Sequence, residues 1–336
     1  MVDEAIGARV FPAAAVDVGR STGVIWSEAR GGLTFESCAA PVSVATLFDL
    51  ASLTKVIATT TVVMTLVERG LVRLDERVAA LVSDWRRDDR AAVTVRDLLE
   101  HASGLPARLV DAPPQGRREF EHDICTTTLE YAPRTTSIYS DLGFILLGFI
   151  VADRGGAALA EQFSAEGLTF GVPARLRSGT APTVAEPGDA RRGRTLAGEA
   201  HDDYAAALGG VAGHAGLFGS AVSVGAFARL VLRASRGVPD VRAPFTPAAV
   251  AAFMTPSTVP GSSRALGWDT MLPTSSCGSR MSPRAFGHVG FTGTSIWIDP
   301  ARDRYFVLLT NRVCEGGTID DMRAVRRAFH DALGDM

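Results

Sequence analysis

The chain has 336 residues, of which 46% are hydrophobic and 21% are charged, and its formal net charge is −3. These values are ordinary for a soluble globular protein and exclude the strongly basic surface that nucleic-acid binding requires. The length allows two domains, or one large domain that carries an insertion.

The N-terminus, MVDEAIGARVFP, has early acidic residues and no apolar run, which argues against a secretory signal. The longest apolar stretch, residues 144–152, is too short to cross a bilayer. The cysteines lie far apart, without metal-binding or redox spacing: Cys38, Cys125, Cys277 and Cys314. A reduced, cytoplasmic protein is therefore the expectation, although a chain with a trimmed leader would read the same.

The first predicted element is a β-hairpin, because VFPAAAVDVGRSTGVIWSEARGG has two β-rich runs around a turn. A long helix is predicted in FDLASLTKVIATTTVVMTLVERG, with Asp49 as its N-cap and Gly70 at its C-terminal end. Further helices are predicted in VTVRDLLEHASG, DLGFILLGFIVADRGG and GAALAEQFSAEG. Residues 171–198 are rich in Pro, Gly, Arg and Thr and predict a long irregular connection.

The C-terminal part predicts helices in VSVGAFARLVLRASRG and TPAAVAAFMTPS, then strands in TSIWIDP and RYFVLLTNR, and a last helix in IDDMRAVRRAFHDALG. Strands therefore occur near both ends of the chain, with helices between them. This order predicts a sheet assembled from both termini, with a largely helical region inserted in the middle.

Lys55 is the single lysine of the chain, since every other basic residue is arginine. Arginine keeps its proton in any protein environment, whereas burial or a nearby cation can lower the pKa of a lysine. Ser52 lies three residues earlier, on the same face of a helix, and a serine hydroxyl needs a base to become a nucleophile. The pattern predicts a nucleophile beside its base; the alternative is one lysine left by chance.

Two later segments carry candidate site residues. Tyr139-Ser140-Asp141 precedes an apolar helix, and a tyrosine beside a cation can relay a proton. The alternative is an amphipathic tyrosine at a helix start, with Asp141 as the N-cap. The second segment is H-x-G at 288–290, where the glycine would allow a substrate to approach the backbone. The alternative there is a hairpin turn.

These three motifs, S-x-x-K at 52, Y-x-D at 139 and H-x-G at 288, resemble in order the serine β-lactamase and penicillin-binding-protein superfamily. Segments such as YSDLGFILLG, GGVAGHAGLFGSA and GHVGFTGTSIWIDP are similar to the class C-like branch, which includes esterases, D-Ala-D-Ala carboxypeptidases and D-amino-acid peptidases. The resemblance implies an α/β (α+β) fold of the β-lactamase/DD-peptidase type, with an antiparallel sheet and a helical insert. Residues 1–60 and 205–336 would form the sheet domain, and residues 61–204 the mainly helical one.

The resemblance also implies roles for individual residues. Ser52 would be the acylated nucleophile, Lys55 would activate it, and Tyr139 would carry protons to the leaving group and from the deacylating water. His288 stands where the family has Lys or His. The backbone N–H groups of Ser52 and Phe291 would form the oxyanion hole, typically worth a few kcal/mol of transition-state stabilisation. Gly290 and Asp141 would complete the substrate-binding edge.

Three departures from the family pattern weaken the expected clamp for a carboxylate-bearing substrate. Asp141 replaces the usual Asn and cannot donate a hydrogen bond unless protonated. Val289 replaces Thr and removes a hydroxyl, and His288 is not a fixed cation at neutral pH. Arg312 is a candidate replacement for the missing charge, at a position in space that the sequence leaves open.

The predicted function is therefore a serine hydrolase that acts through a Ser52 acyl-enzyme on short-chain carboxylic esters. The alternative is a D-Ala-D-Ala carboxypeptidase or a weak class C-like β-lactamase. A non-catalytic ligand-sensing protein of the same fold is a third interpretation, against which the intact Ser52, Lys55 and Tyr139 argue. The expected partner is a small-molecule ester, amide or lactam, without nucleic acid or a membrane span, and the oligomeric state is left open.

Neither a cofactor nor a metal is expected, because the six histidines are scattered and form no ligand pair. His101 is interpreted as structural. His201, with Asp202, precedes a helix of small residues, where the segment either lines the site or caps the helix. His214, in AGHAGLF, is open in the same way.

Overall fold

The structure is a computed structural model that describes residues 1–110, 113–191 and 193–334. The strands are β1 Ala13–Arg20, β2 Gly23–Gly31, β3 Phe48–Asp49, β4 Leu168–Phe170, β5 Thr183–Val184, β6 Thr195–Leu196, β7 Leu217–Gly219, β8 Asp269–Thr270, β9 Phe286–Val289, β10 Ser295–Asp299 and β11 Arg304–Thr310. The helices are α1 Val2–Gly7, α2 Thr60–Glu68, α3 Val95–Leu99, α4 Gly116–Thr126, α5 Asp141–Gly155, α6 Leu159–Gln162, α7 Ala174–Arg177, α8 Asp203–Ala207, α9 Ala221–Ser235, α10 Pro247–Phe253 and α11 Ile319–Leu333. A π-helical turn, Lys55–Thr59, leads into α2, and 3₁₀ turns occur at Val78–Ala80 and Asp88–Arg90.

The main sheet joins the two ends of the chain, as the sequence predicts. Its six strands run in the order β2-β1-β11-β10-β9-β8, and each described pair is antiparallel. The N-terminal hairpin supplies β1 and β2, and residues 269–310 supply the rest. Two smaller sheets, β3-β7-β4 and β5-β6, lie outside it.

Helices pack on both faces of the sheet at β1, where successive side chains point to opposite faces and enter different cores. Ala13 and Ala15 of β1 belong to the large core, which also contains residues of α5 and α9. Ala14 and Val16 belong to a second core, formed with residues of α1 and α11. The sheet is thus a layer between helices. Its last strand, β8, pairs with β9 only at Phe286 and Gly287, so His288 and Val289 lie at an open edge.

The helical region is built around α5, whose residues Leu142–Val151 are all buried. A helix that is apolar on every side lies inside a domain. Among helices of the described residues, none combines the length and the apolar character needed to cross a membrane. The division at residues 60 and 205 into a sheet domain and a helical domain stays a prediction, since one large core contains residues from both parts.

The predicted N-cap at Asp49 is wrong, and so is the alternative that made Asp141 an N-cap. Asp49 is not an N-cap: it lies in β3, and the helical segment starts four residues later at Leu53, just before the π-helical turn. The N-cap of α5 is Ser140, whose hydroxyl accepts from Gly143 N, rather than Asp141. Both aspartates therefore have carboxylates free for other contacts. Gly70 does follow the end of α2, with a left-handed φ of 69°.

Candidate active site

Ser52 lies on a tight turn between β3 and the π-helical turn. The preceding residue, Ala51, has a φ of 47°, which is uncommon for a residue with a side chain. The buried Asp49 carboxylate holds this turn, because it accepts from Ala51 N at 2.8 Å and from His201 N at 2.7 Å. Strained backbone of this kind occurs at functional sites, where the surrounding contacts maintain it.

The structure brings three predicted residues together. Tyr139 Oη donates to Ser52 Oγ at 2.8 Å, and Lys55 Nζ donates to the same oxygen at 3.1 Å. Tyr139 comes from the segment before α5, 87 residues away in sequence. A nucleophile within hydrogen-bond reach of two proton-transfer groups is the arrangement that nucleophilic catalysis requires.

Lys55 is fully buried, and each of its three ammonium protons has an acceptor. Besides Ser52 Oγ, these are Asp141 Oδ1 at 2.7 Å and the carbonyl oxygen of His214 at 3.1 Å. Burial by itself lowers the pKa of Lys55, but Asp141 and Tyr139 outweigh burial, and the pKa is raised above its ordinary value. The expectation of a lowered lysine pKa is therefore wrong for the free protein, because the closest charge is a carboxylate.

The pKa of Tyr139 is also raised: burial raises it, and the opposing effect of Lys55 is smaller. In the free protein the pair is thus an ammonium and a phenol. The Tyr139 ring packs against two histidine rings, His101 at 4.7 Å and His288 at 6.0 Å between centroids. These contacts fix the ring, so its hydroxyl points at Ser52.

Tyr139→Phe is expected to lower kcat/KM about 10²- to 10⁴-fold, the usual contribution of a general acid–base group. Phenylalanine keeps the ring contacts with His101 and His288 and removes only the hydroxyl that bonds to Ser52. Hydrolysis of p-nitrophenyl butyrate, with the melting temperature measured on the same preparation, checks the prediction.

The matched control is Tyr131→Phe. Tyr131 Oη donates to the carbonyl of His101 at 2.9 Å and accepts from Ile138 N at 3.2 Å, so it supports the same loop without touching Ser52. Its removal should leave kcat/KM within about threefold. A loss below about threefold for Tyr139→Phe itself would make Tyr139 a packing residue.

Gly290 has a structural reason to lack a side chain, and its place at the substrate-binding edge stays a prediction. A Cβ on Gly290 would lie 2.1 Å from Thr294 Oγ1, 2.6 Å from the Leu50 carbonyl and 3.3 Å from Ala51 Cβ. The missing side chain thus lets the end of β9 approach the turn that carries Ser52. This close approach is between two parts of the chain, and it brings Phe291 to a cavity that Ser52 also lines.

The two N–H groups assigned to the oxyanion hole, those of Ser52 and Phe291, have no acceptor among the described residues. Both residues line the two cavities that meet at Ser52. Their use as an oxyanion hole stays a prediction.

Arg312 donates through Nε and Nη2 to the Phe291 carbonyl, and through Nη1 to that of Gly317. Arg312 thus holds this loop, and its donors are directed at the backbone.

His288 is buried and neutral. Burial, followed by the charges of Arg264 and Lys55, lowers its pKa well below the ordinary value. Its Nδ1 pairs with the Val289 carbonyl at 2.8 Å. The strand edge therefore has no cation at this position, as the sequence argument assumed.

Arg264 is a site residue that the sequence analysis missed. Its guanidinium carbon lies 5.4 Å from the centre of the Tyr139 ring, and its only ion pair among the described residues is a long one, 3.9 Å, to Asp269. It lines a cavity of about 320 Å³ together with Ser52 and His288. No motif marks Arg264, because it lies in an irregular segment before β8.

A larger cavity of about 580 Å³ lies on the other side of Ser52, and Arg108, Asp202 and His201 are among its lining residues. Asp202 caps α8, accepting from Ala205 N at 2.8 Å, so the segment both caps the helix and lines the site. His201 stacks on the Phe291 ring at 5.7 Å. His101 accepts from Ser140 N at 3.0 Å and has a structural position beneath Tyr139.

One family of known proteins resembles this chain over nearly its whole length. The sequence model of the family described as Beta-lactamase matches residues 1–329. A putative D-alanyl-D-alanine carboxypeptidase of Escherichia coli strain K12 is 33% identical over 305 residues, covering 80% of this chain and 69% of that protein.

Two solved structures are similar over nearly the whole chain. EstCE1, described as a hydrolase with promiscuous acyltransferase activity, has a TM-score of 0.77 at 18% identity and covers 98% of this chain and 96% of its own. A class C beta lactamase from Rhodobacter sphaeroides has a TM-score of 0.75 at 19% identity, with 98% and 97% covered. The predicted β-lactamase/DD-peptidase-like fold is confirmed.

Proposed function

The chain belongs to the Beta-lactamase family, as a serine hydrolase of that family, and from this premise we propose that it hydrolyses short-chain carboxylic esters through an acyl-enzyme on Ser52. The observation that carries the proposal is the position of Ser52 Oγ, 2.8 Å from Tyr139 Oη and 3.1 Å from Lys55 Nζ, between two cavities. The substrate is a small molecule, and the cytoplasmic location expected from the N-terminus and cysteines stays a prediction.

In the acylation step, Ser52 Oγ bonds to the acyl carbon and the bond to the leaving oxygen breaks. The serine proton moves to the pair formed by Lys55 and Tyr139 and from there to the leaving alkoxide. Since both groups hold their protons in the free protein, the reactive form is the one in which the pair has lost one proton. Water then attacks the acyl-enzyme by the reverse route, and Ser52 regains its proton.

Contacts at the strand edge support an ester as the substrate. The two hydroxyls nearest the edge donate to backbone carbonyls, Thr292 to Asp49 at 2.8 Å and Thr294 to Leu50 at 3.0 Å. His288 is neutral, and Arg312 is bound to the Phe291 carbonyl. An ester requires none of these groups, and its alkoxide or phenoxide leaves more readily than an amine.

A second candidate is a substrate with a carboxylate, such as a D-Ala-D-Ala peptide, and Arg264 favours it. This guanidinium lies beside Tyr139 in the smaller cavity, with one long ion pair, to Asp269. Arginine binds carboxylates through two parallel hydrogen bonds. A lactam that bears a carboxylate belongs to the same candidate class.

We expect kcat/KM for p-nitrophenyl butyrate to exceed that for a chromogenic cephalosporin and for a D-Ala-D-Ala peptide, all measured on one preparation. If the peptide or the cephalosporin is faster by tenfold, about 1.4 kcal/mol of transition-state preference, the carboxylate class replaces the ester class.

Arg264→Gln separates the two candidates further, with Arg284→Gln, which lies outside both cavities beside Ser52, as the matched control. In the Arg264 variant, kcat/KM should fall about tenfold or more for carboxylate substrates, and less than about threefold for the neutral ester. Equal losses on both classes would mean that Arg264 supports the Tyr139 ring rather than a substrate carboxylate.

A further inference from the structure

Arg108 lines the larger cavity and is held there by three consecutive residues at the start of α8. Its guanidinium donates to Asp202 Oδ2 at 3.0 Å and to Asp203, and its carbon lies 3.8 Å from the centre of the Tyr204 ring. The same Nη1 atom lies 3.6 Å from Asp141 Oδ2. A permanent cation is thus fixed beside the carboxylate that binds Lys55.

These contacts close a ring around Lys55. Asp141 binds Lys55 through Oδ1 and faces Arg108 through Oδ2. Arg108 binds Asp202, Asp202 accepts from His214 Nε2 at 2.7 Å, and the His214 carbonyl accepts from Lys55 Nζ at 3.1 Å. Charges alternate from Lys55 through Asp141 and Arg108 to Asp202, so a change at Arg108 affects the carboxylate that binds Lys55.

We propose that Arg108 is a positioning residue that competes with Lys55 for the Asp141 carboxylate and so eases release of the lysine proton. The inference rests on the proposed function, because it requires Ser52 to pass its proton to the pair of Lys55 and Tyr139. A neighbouring cation favours neutral lysine, whereas an unshared carboxylate favours the ammonium. Arginine stays charged across the working range of pH, so its effect is constant.

The other ionisable groups around Lys55 do not obscure this effect. Besides Arg108, Asp202 and His214 of the ring, the charged and titratable side chains around Lys55 are His101 after α3, Tyr139 and Asp141 at the start of α5, His288 on β9, and Arg264 over the Tyr139 ring. Burial, with the charges of Arg264 and Lys55, lowers the pKa of both histidines well below the ordinary value. Lys55 and Tyr139, whose pKa values are raised, are therefore the groups that titrate above neutrality.

The test is the rate at which a fluorophosphonate labels Ser52, measured from pH 7 to pH 11. In the unaltered protein the rate should rise with pH as the pair loses its proton, and then level off. In Arg108→Gln the curve should move to higher pH by about one unit, with the same plateau. Arg108→Lys keeps a cation on a shorter side chain, so its curve should lie between those of the unaltered protein and Arg108→Gln. This variant replaces Arg108→Gln in the test if the glutamine variant does not fold.

Arg117→Gln is the matched control. Arg117 also pairs with two carboxylates, of Asp153 and Glu121, and stacks on an aromatic ring, Phe149, but lies outside both cavities beside Ser52. Its curve should superimpose on that of the unaltered protein. A shift as large as that of the Arg108 variant would mean a general effect of removing a charge.

A double-mutant cycle tests whether Arg108 acts through Asp141. Asp141→Asn keeps an oxygen for Lys55 and removes the shared charge, so in this background Arg108→Gln should change the labelling rate less than about threefold. The inference is wrong if Arg108→Gln changes the labelling rate by the same factor with Asp141 and with Asn at position 141. It is also wrong if Arg108→Gln lowers the labelling rate equally at every pH, including the plateau. Absence of Ser52 labelling in every protein refutes the proposed function itself, which keeps the two failures distinct.

Discussion

Ser52→Ala is expected to abolish hydrolysis, with a loss of about 10⁴- to 10⁶-fold in kcat, as for other enzymes that lose their nucleophile. The Ser52 hydroxyl accepts hydrogen bonds from both Lys55 and Tyr139. Alanine removes this oxygen, so Lys55 and Tyr139 have no nucleophile to deprotonate. In the unaltered protein, mass spectrometry after fluorophosphonate treatment should find the adduct on the peptide that contains Ser52. The same reaction separates a hydrolase from a non-catalytic protein of this fold.

Ser137→Ala provides the comparison. Its hydroxyl donates to the Glu100 carbonyl at 2.9 Å, in the segment that leads to Tyr139, but has no contact with Ser52. This variant should be labelled and should turn over substrate at close to the parental rate. An adduct on any serine other than Ser52, or labelling that survives in Ser52→Ala, would refute the assignment of the nucleophile.

Lys55→Arg is expected to abolish turnover while the protein remains folded. Arginine keeps the charge but cannot accept the serine proton, and the pair with Tyr139 then lacks the member that can become neutral. The structure adds a cost in stability: Lys55 is fully buried, and a larger side chain in a packed site typically costs about 1–3 kcal/mol. The expected result is a lower melting temperature and a loss of at least about 10²-fold in kcat/KM.

Arg90→Lys separates the loss of turnover from the loss of stability. Arg90 is also fully buried and donates to the carbonyls of Cys125 and Thr127, but it lies outside both cavities beside Ser52. This variant should lose stability and keep its turnover. If Lys55→Arg retains turnover near the parental rate, the argument that position 55 requires a group able to lose its proton is wrong.

Much of the architecture can be predicted from the sequence, because the relevant signals are local. The β-rich runs of the sequence identify β1 and β11, whose residues divide between the two cores, and the apolar run of α5 predicts a buried helix. Ser52 and Lys55 are three residues apart, so their proximity requires only one turn of chain.

Capping was harder to predict. Asp49 has the residue type of an N-cap, but its carboxylate holds the strained turn at Ala51 and the His201 amide. His201 is 152 residues away in the sequence, and no local pattern reports a contact of that range. The same reason explains Gly290, whose missing side chain is required by its contacts with Leu50 and Thr294, while its part in substrate binding stays a prediction.

The sequence by itself determined the fold class and the chemical identity of the candidate nucleophile, base and proton carrier, because residue type and short spacing carry that information. The tertiary structure decided the charges around them. Asp141, 86 residues from Lys55, raises the lysine pKa, whereas the isolated motif predicts a lowered one. Arg108 and Arg264 lie in irregular segments without a motif, and only folding places them beside Asp141 and Tyr139. Electrostatic effects depend on distance through space and on burial, and neither can be read along the chain.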